Sequence, residues 1–183
     1  MFCVNEKIVY PGHGVAVVSQ EIEKNVAGHK VSFFELAFLN KDMTILVPVK
    51  GLGSTGIRRL SSSQKIEDLL RMLAQPTSKD FQELVASNWN KRNKEYQCKL
   101  RTGSLYEIGY VYRDLKYIST KKELSFGEKS LLQQTETLLA QEISLVKKVH
   151  EDKAVEELRS FFVEKTNNML MSSSKQNNMV SAA

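Results

Sequence analysis

The chain's single tryptophan, Trp89, stands in the run Ser87-Asn88-Trp89-Asn90-Lys91-Arg92-Asn93-Lys94. All five residues after it are polar, and three of them are cationic. Lysine and arginine neutralise phosphates and release counterions, while an apolar wedge beside them can enter a base step and partly unstack it. The bland alternative is a core anchor, because Val85, Trp89, Tyr96 and Leu100 fit loosely on one helical face and large aromatics are usually well buried. The residues alone leave wedge and core both open. In residues 86–101, Lys91, Arg92, Lys94, Lys99 and Arg101 face only Glu95, so most of the chain's net charge of +5 sits in sixteen residues. Most charge runs are solvated faces. Concentration beside the lone tryptophan raises nucleic acid above that reading. No recognition helix or zinc-finger pattern is visible, so phosphates and DNA shape would lead the binding. About four charges are too few for tight binding to DNA at physiological salt, so a second attachment is needed.

The other candidates for chemistry are weaker. Histidine is the common general base and metal ligand. Yet His13 has no acidic residue at triad-like or ligand spacing, and His29 and His150 lie in a loop and near a helix end. Pro11-Gly12-His13-Gly14 is built for a turn, and it lacks the GK[ST] of a phosphate loop. Cys3 and Cys98 stand 95 positions apart without a CxxC or a Cys/His cluster, which argues against a disulfide scaffold and a zinc site. The expectation is a non-enzyme with no catalytic residue, no metal and no cofactor. An enzyme would require His13 to meet a carboxylate or nucleophile in space.

What must position Trp89 and its cations is a chain of 183 residues, 42% apolar and 26% charged, the composition of an ordinary folded protein of one or two small domains. The longest apolar runs, such as Ile45 to Val49, are far too short to cross a bilayer. The start has no basic segment ahead of an apolar one, so no secretory signal is expected, and the expected location is the cytoplasm. Residues 1–60 read as strands: Lys7 to Tyr10, Val15 to Val18, Val31 to Leu39, Met43 to Val49 and a closing Ile57 to Leu60. Five short strands in sixty residues suit a small barrel. After residue 60 the period becomes helical. Ser61 to Gln64 can form a capping box, Ile66, Leu69, Leu70 and Leu73 follow at helical spacing, and Pro76 stops them. A segment from Phe81 turns basic after Asn88. Leu105, Ile108, Val111, Leu115 and Ile118 make a stripe, and Ser125 to Glu128 is a second capping box before a long helix. That is four helices over residues 61–150. A further helix is expected over 151–166, with Val155, Leu158, Phe161 and Phe162 as its apolar side, and a disordered tail over 167–183. The fold class is α+β, a small β module followed by a compact all-helical domain.

Five segments together resemble the CarD/CdnL family of bacterial transcription regulators, whose first module is shared with the transcription-repair coupling factor. They are Val9-Tyr10-Pro11 with His13-Gly14; Met43-Thr44-Ile45-Leu46-Val47-Pro48; Asn88-Trp89 with Arg92; Val111-Tyr112-Arg113-Asp114-Leu115; and Leu124-Ser125 with Gly127-Glu128-Lys129. The likeness runs over residues 1–148 and ends near 150. It implies a Tudor-like (SH3-like) β-barrel module that binds the β subunit of RNA polymerase, and a helical domain that touches promoter DNA largely without regard to sequence. It implies that Trp89 wedges into the minor groove at the upstream edge of the transcription bubble and lengthens the life of the open complex. Carried over by position, Lys91, Arg92 and Lys94 would hold the phosphate backbone. The loop position Lys24 and the strand position Leu46 match places used for polymerase contact. The expected state is a monomer, free of membrane and associated with the nucleoid through polymerase. A rival from another class is a protein–protein adaptor whose Tudor-like module binds another partner and whose helices never meet DNA.

Overall fold

The computed structural model describes residues 2–77, 80–86 and 88–162. Its strands are Lys7–Tyr10 (β1), Gly14–Val26 (β2), His29–Phe38 (β3), Thr44–Pro48 (β4) and Arg58–Arg59 (β5). They pair antiparallel in the order β4-β3-β2-β1-β5. Side chains alternate across a sheet, so register decides which residues meet. One face gathers Ile8, Ala16, Val18, Phe34, Leu36, Phe38 and Val47 into a core. The other carries Val17, Ile22, Phe33 and Leu46, half-buried or exposed.

β2 runs well past Val18. After a bulge between Val18 and Gln20 it continues to Val26, paired with β3 as far as Val26↔His29. Ala27 and Gly28 close the ribbon with φ of 50° and 82°, as a two-residue hairpin turn requires. Lys24 is therefore a strand residue opposite Val31, not a loop residue, and His29 opens β3 rather than lying in a loop. With water on both faces, this stretch has no apolar alternation to reveal it.

The helices are Ser63–Ala74 (α1), Phe81–Val85 (α2), Trp89–Arg101 (α3), Leu105–Ser119 (α4) and Phe126–Lys147 (α5), and residues 151–162 are helical as well. The cap of α1 is Ser62, whose oxygen accepts from the Lys65 N–H, one residue later than the spacing suggests. The Ser61 N–H is drawn to Glu142 instead. The expected helix from Phe81 is two helices, because Asp80 caps α2 and Asn88 caps α3. Ile66, Leu69, Leu73, Tyr112, Leu139 and Ile143 form the main helical core. Ala154 and Leu158 are buried in it, with Phe161 and Phe162 packed against it, so residues 151–162 belong to the domain. Residues 163–166 of the expected helix, and the tail expected over 167–183, lie outside the described residues.

α5 joins the β sheet to the helices. The Val15 N–H donates to Gln141 Oε1 at 2.9 Å, and Gln134 Nε2 donates to the Gly12 carbonyl at 3.3 Å. Arg58 meets Glu142 through two parallel bonds of 2.6 and 2.8 Å, and the Ser61 N–H adds a third at 2.8 Å. A Cβ on Gly14, whose φ is 101°, would collide with the Gln141 amide. His13 stands beside this joint, edge-on to Tyr10 with ring centres 5.3 Å apart and 5.9 Å from Phe38.

Candidate nucleic-acid interface

α3 starts at Trp89 because the Asn88 side chain accepts from the Lys91 N–H at 3.0 Å. A helical period then sorts the window into two faces. Arg92, Tyr96 and Leu100 turn inward and are buried, whereas Lys91, Lys94, Cys98 and Arg101 lie on the outward side and are exposed. The first turn of α3 holds no acidic residue, and its exposed Lys91 stands where the helix end is already positive. An anion at this corner would relieve that repulsion.

Trp89 is half-buried, which falls between the two readings of it. One side of the indole packs on the cluster of Tyr96, Leu100, Val111, Leu115 and Leu131. Its edge lies against the first turn of α5: a Cβ on Gly127 would stand 2.9 Å from the indole Nε1 and 3.0 Å from Cζ2. Gly127 has an ordinary helical backbone, so its missing side chain serves the tryptophan rather than the chain path. Phe81, Val85, Asn88, Lys122 and Ser125 continue around Trp89 as an open cleft of about 400 Å³.

Arg92 departs from the expectation. Its side chain is only 8% exposed, and Nη2 donates to Glu128 Oε1 at 2.5 Å. The guanidinium carbon lies 5.6 Å from the centre of the Trp89 ring. Arg92 therefore lies beneath the indole rather than on the outward side with Lys91 and Lys94, and it shares the single Glu128 carboxylate with Lys122. Glu128 also accepts from Lys122 Nζ at 2.9 Å and from the Ser125 N–H at 2.9 Å, completing the capping box of α5. Burial works against this carboxylate, but the bonds from Ser125 and Lys122 outweigh it and hold its pKa below the usual range. The roles of Gly127 and Glu128 were not readable from their capping signature. The signal was there in their types: a glycine at N2 of a helix has no capping purpose.

The second candidate surface is the outer face of the sheet. Leu46 lies opposite Glu35, and Lys24 opposite Val31, two rows farther along the same face. Between them is the row of Ile22, Phe33 and Pro48. Lys24 and Leu46, 22 positions apart in sequence, thus border one partly apolar patch. Beside it β4 forms an edge of the sheet.

Residues 2–61 match the model of the CarD-like/TRCF RID domain, and residues 68–159 match that of the CarD C-terminal domain. The second match reaches beyond residue 150, where the likeness was expected to end, and takes in most of the last described helix. The chain is also 26% identical over 151 residues to YdeB of Bacillus subtilis (strain 168), whose name describes a transcription factor. That alignment covers 82% of this chain and 95% of the relative. Among the described residues, no helix is long and apolar enough to cross a membrane.

Proposed function

The chain belongs to the CarD family, a transcription-factor family rather than an enzyme family, and from that premise we propose that it steadies open promoter complexes by wedging Trp89 into the minor groove. The outer sheet face with Lys24 and Leu46 binds the β subunit of bacterial RNA polymerase. Residues 1–60 act as the polymerase module, and residues 61–150 as the part that reaches promoter DNA. The protein works as a monomer in the cytoplasm, held at the nucleoid through polymerase.

One observation carries the reading: a half-buried tryptophan is braced by Gly127 and Arg92 at the end of a helix whose outward side bears Lys91, Lys94 and Arg101. A wedge that merely flops cannot favour one DNA form. It shifts the equilibrium toward opened DNA only by its differential affinity for that form. A difference of about 1.4 kcal/mol changes the population tenfold, within the few kcal/mol that unstacking a step involves. Lys91 and Lys94 supply the phosphate contacts, and Arg92 positions the ring. Weak affinity for DNA suffices, because tethering to polymerase raises the effective concentration at the promoter.

The test is open-complex lifetime with polymerase, promoter DNA and the full chain. Trp89→Ala shortens it about tenfold while polymerase binding stays unchanged. Lys91→Glu with Lys94→Glu weakens binding to DNA alone and reduces its salt slope by about two. Unaltered lifetime in Trp89→Ala rejects the wedge and leaves the adaptor reading.

A further inference from the structure

Phe126 is the most exposed large apolar side chain among the described residues, at 90%. It belongs to none of the core clusters. Local structure gives no reason for it. Phe126 is the first residue of α5, and the cap there is made wholly by Ser125 and Glu128. A polar residue would serve the helix as well.

Its neighbourhood supplies a reason. The next residue, Gly127, is the one pressed against the Trp89 indole. Consecutive Cα atoms are 3.8 Å apart, so the Phe126 backbone stands within about 8 Å of the indole nitrogen, on the order of two base-pair rises. The caps of α3 and α5, Asn88 and Ser125, border the same cleft as Lys122. The N-terminus of α3, with no acidic residue in its first turn, therefore opens beside the ring with Lys91 and Lys94 outward, while that of α5 is closed by its own Glu128. A bare aromatic ring within a positive rim matches nucleic acid, where bases offer flat faces and phosphates surround them. An apolar groove on a protein would need the ring but not the rim.

We propose that Phe126 is a second apolar contact to DNA, stacking on a base at a step neighbouring the one that Trp89 enters. The inference rests on the reading of the Trp89 corner as the DNA-contacting surface. The wedge is then a pair of rings on adjoining helix ends, one braced and half-buried, the other free in water until DNA arrives.

The test uses the full chain with RNA polymerase and promoter DNA. A photoreactive Phe126→p-benzoylphenylalanine variant is expected to cross-link to DNA next to the position reached by the corresponding Trp89 variant. Cross-linking to a polymerase subunit, or to nothing, overturns the proposal. Phe126→Ser should shorten open-complex lifetime two- to tenfold with the unfolding temperature unchanged, and Phe126→Leu should retain most of the effect. If Phe126→Ser keeps the full lifetime while Trp89→Ala loses it, the second contact is rejected and the wedge stands. If Trp89→Ala and the Lys91/Lys94 reversal also change nothing, the corner does not meet DNA, and both readings fall together.

Discussion

Two glycines allow a close approach to α5, and they do so for opposite ends. Gly14, the first residue of β2, has φ of 101° and lies against the Gln141 side chain, where sheet and helices are joined. Gly127 has an ordinary helical backbone and yields its space to a single ring, Trp89. The joint is fastened many times over, by Val15 to Gln141, Gln134 to Gly12, and Arg58 and Ser61 to Glu142. The corner at Trp89 rests on one carboxylate, Glu128, which pairs with Lys122 and with the Arg92 that lies by the ring, and it opens into a cleft. The difference separates stability from function. Gly14 and Gln141 are thirteen or more residues of α5 away from Gly127 and Glu128, roughly 20 Å at 1.5 Å per residue, and a stiff helix keeps the two ends in register. The face proposed for polymerase and the corner proposed for DNA can then act as one rigid piece.

The largest expected effect lies at the joint. Glu142→Ala takes the carboxylate from Arg58, whose side chain is 26% exposed and keeps the Gly103 carbonyl, and removes the acceptor of the Ser61 N–H. Breaking a buried pair costs about 3–5 kcal/mol, and the partial exposure of Arg58 puts this one near the lower end. Denaturant unfolding measures it, and a loss below about 1 kcal/mol would show that the joint is not what holds the two parts together. Gly14→Ala comes next, at about 1–3 kcal/mol, because an alanine is strained at that φ and displaces Gln141. Here too the unfolding midpoint should fall, and Trp89 fluorescence should stay as it was.

A smaller effect arises from acid. In Glu136, as in Glu128, burial opposes the charge but is outweighed, here by bonds from Arg159 and Tyr112 and by the Lys116 ammonium. Both carboxyls are held below the ordinary value of 4.5. The unfolded chain takes up their protons near that value while the folded chain still resists. Their stabilising contribution is therefore complete above it and disappears as pH falls through the lower folded values. Unfolding temperature followed from neutral pH down to about pH 3 should decline over that acid limb. Glu128→Gln should flatten the decline, and an unchanged limb would place the acid sensitivity elsewhere.

Gly127→Ala should change stability least and the site most. Alanine is the better helix former by about 0.5–1 kcal/mol, which offsets much of the cost of moving the indole. Trp89 must swing outward, so its emission should shift to the red and open-complex lifetime should fall toward that of Trp89→Ala. A stability loss as large as that of Gly14→Ala would erase the contrast between the two glycines.

Much of the fold was legible because its residues repeat with the period of their elements. Leu105, Ile108, Val111, Leu115 and Ile118 mark α4, and Ser125 with Glu128 marks the start of α5. The extension of β2 from Gln20 to Val26 was not legible, since nearly all of its residues meet water and leave no apolar period. The break between α2 and α3 was hidden because Asn88 is at once a cap and one polar residue among many. In the candidate site, Lys91 and Lys94 stand exposed on α3, as a basic arm requires, whereas Arg92 does not. Nothing in the run Lys91-Arg92-Asn93-Lys94 says which cation faces inward. That depends on Glu128, 36 positions later.

By itself the sequence determined that strands precede helices, the capping box of α5 and the gathering of positive charge beside one tryptophan. These are local properties, set by side-chain period and backbone preference within a few residues. Only the tertiary structure decided that Arg92 turns inward to Glu128 beneath the Trp89 ring, that Gly127 is the seat of Trp89, and that Lys24 and Leu46 share a face. Those outcomes depend on which distant group a side chain meets when the chain packs. Burying a charge demands a partner, and a ring needs a vacant space beside it, and neither is written next to it in the sequence.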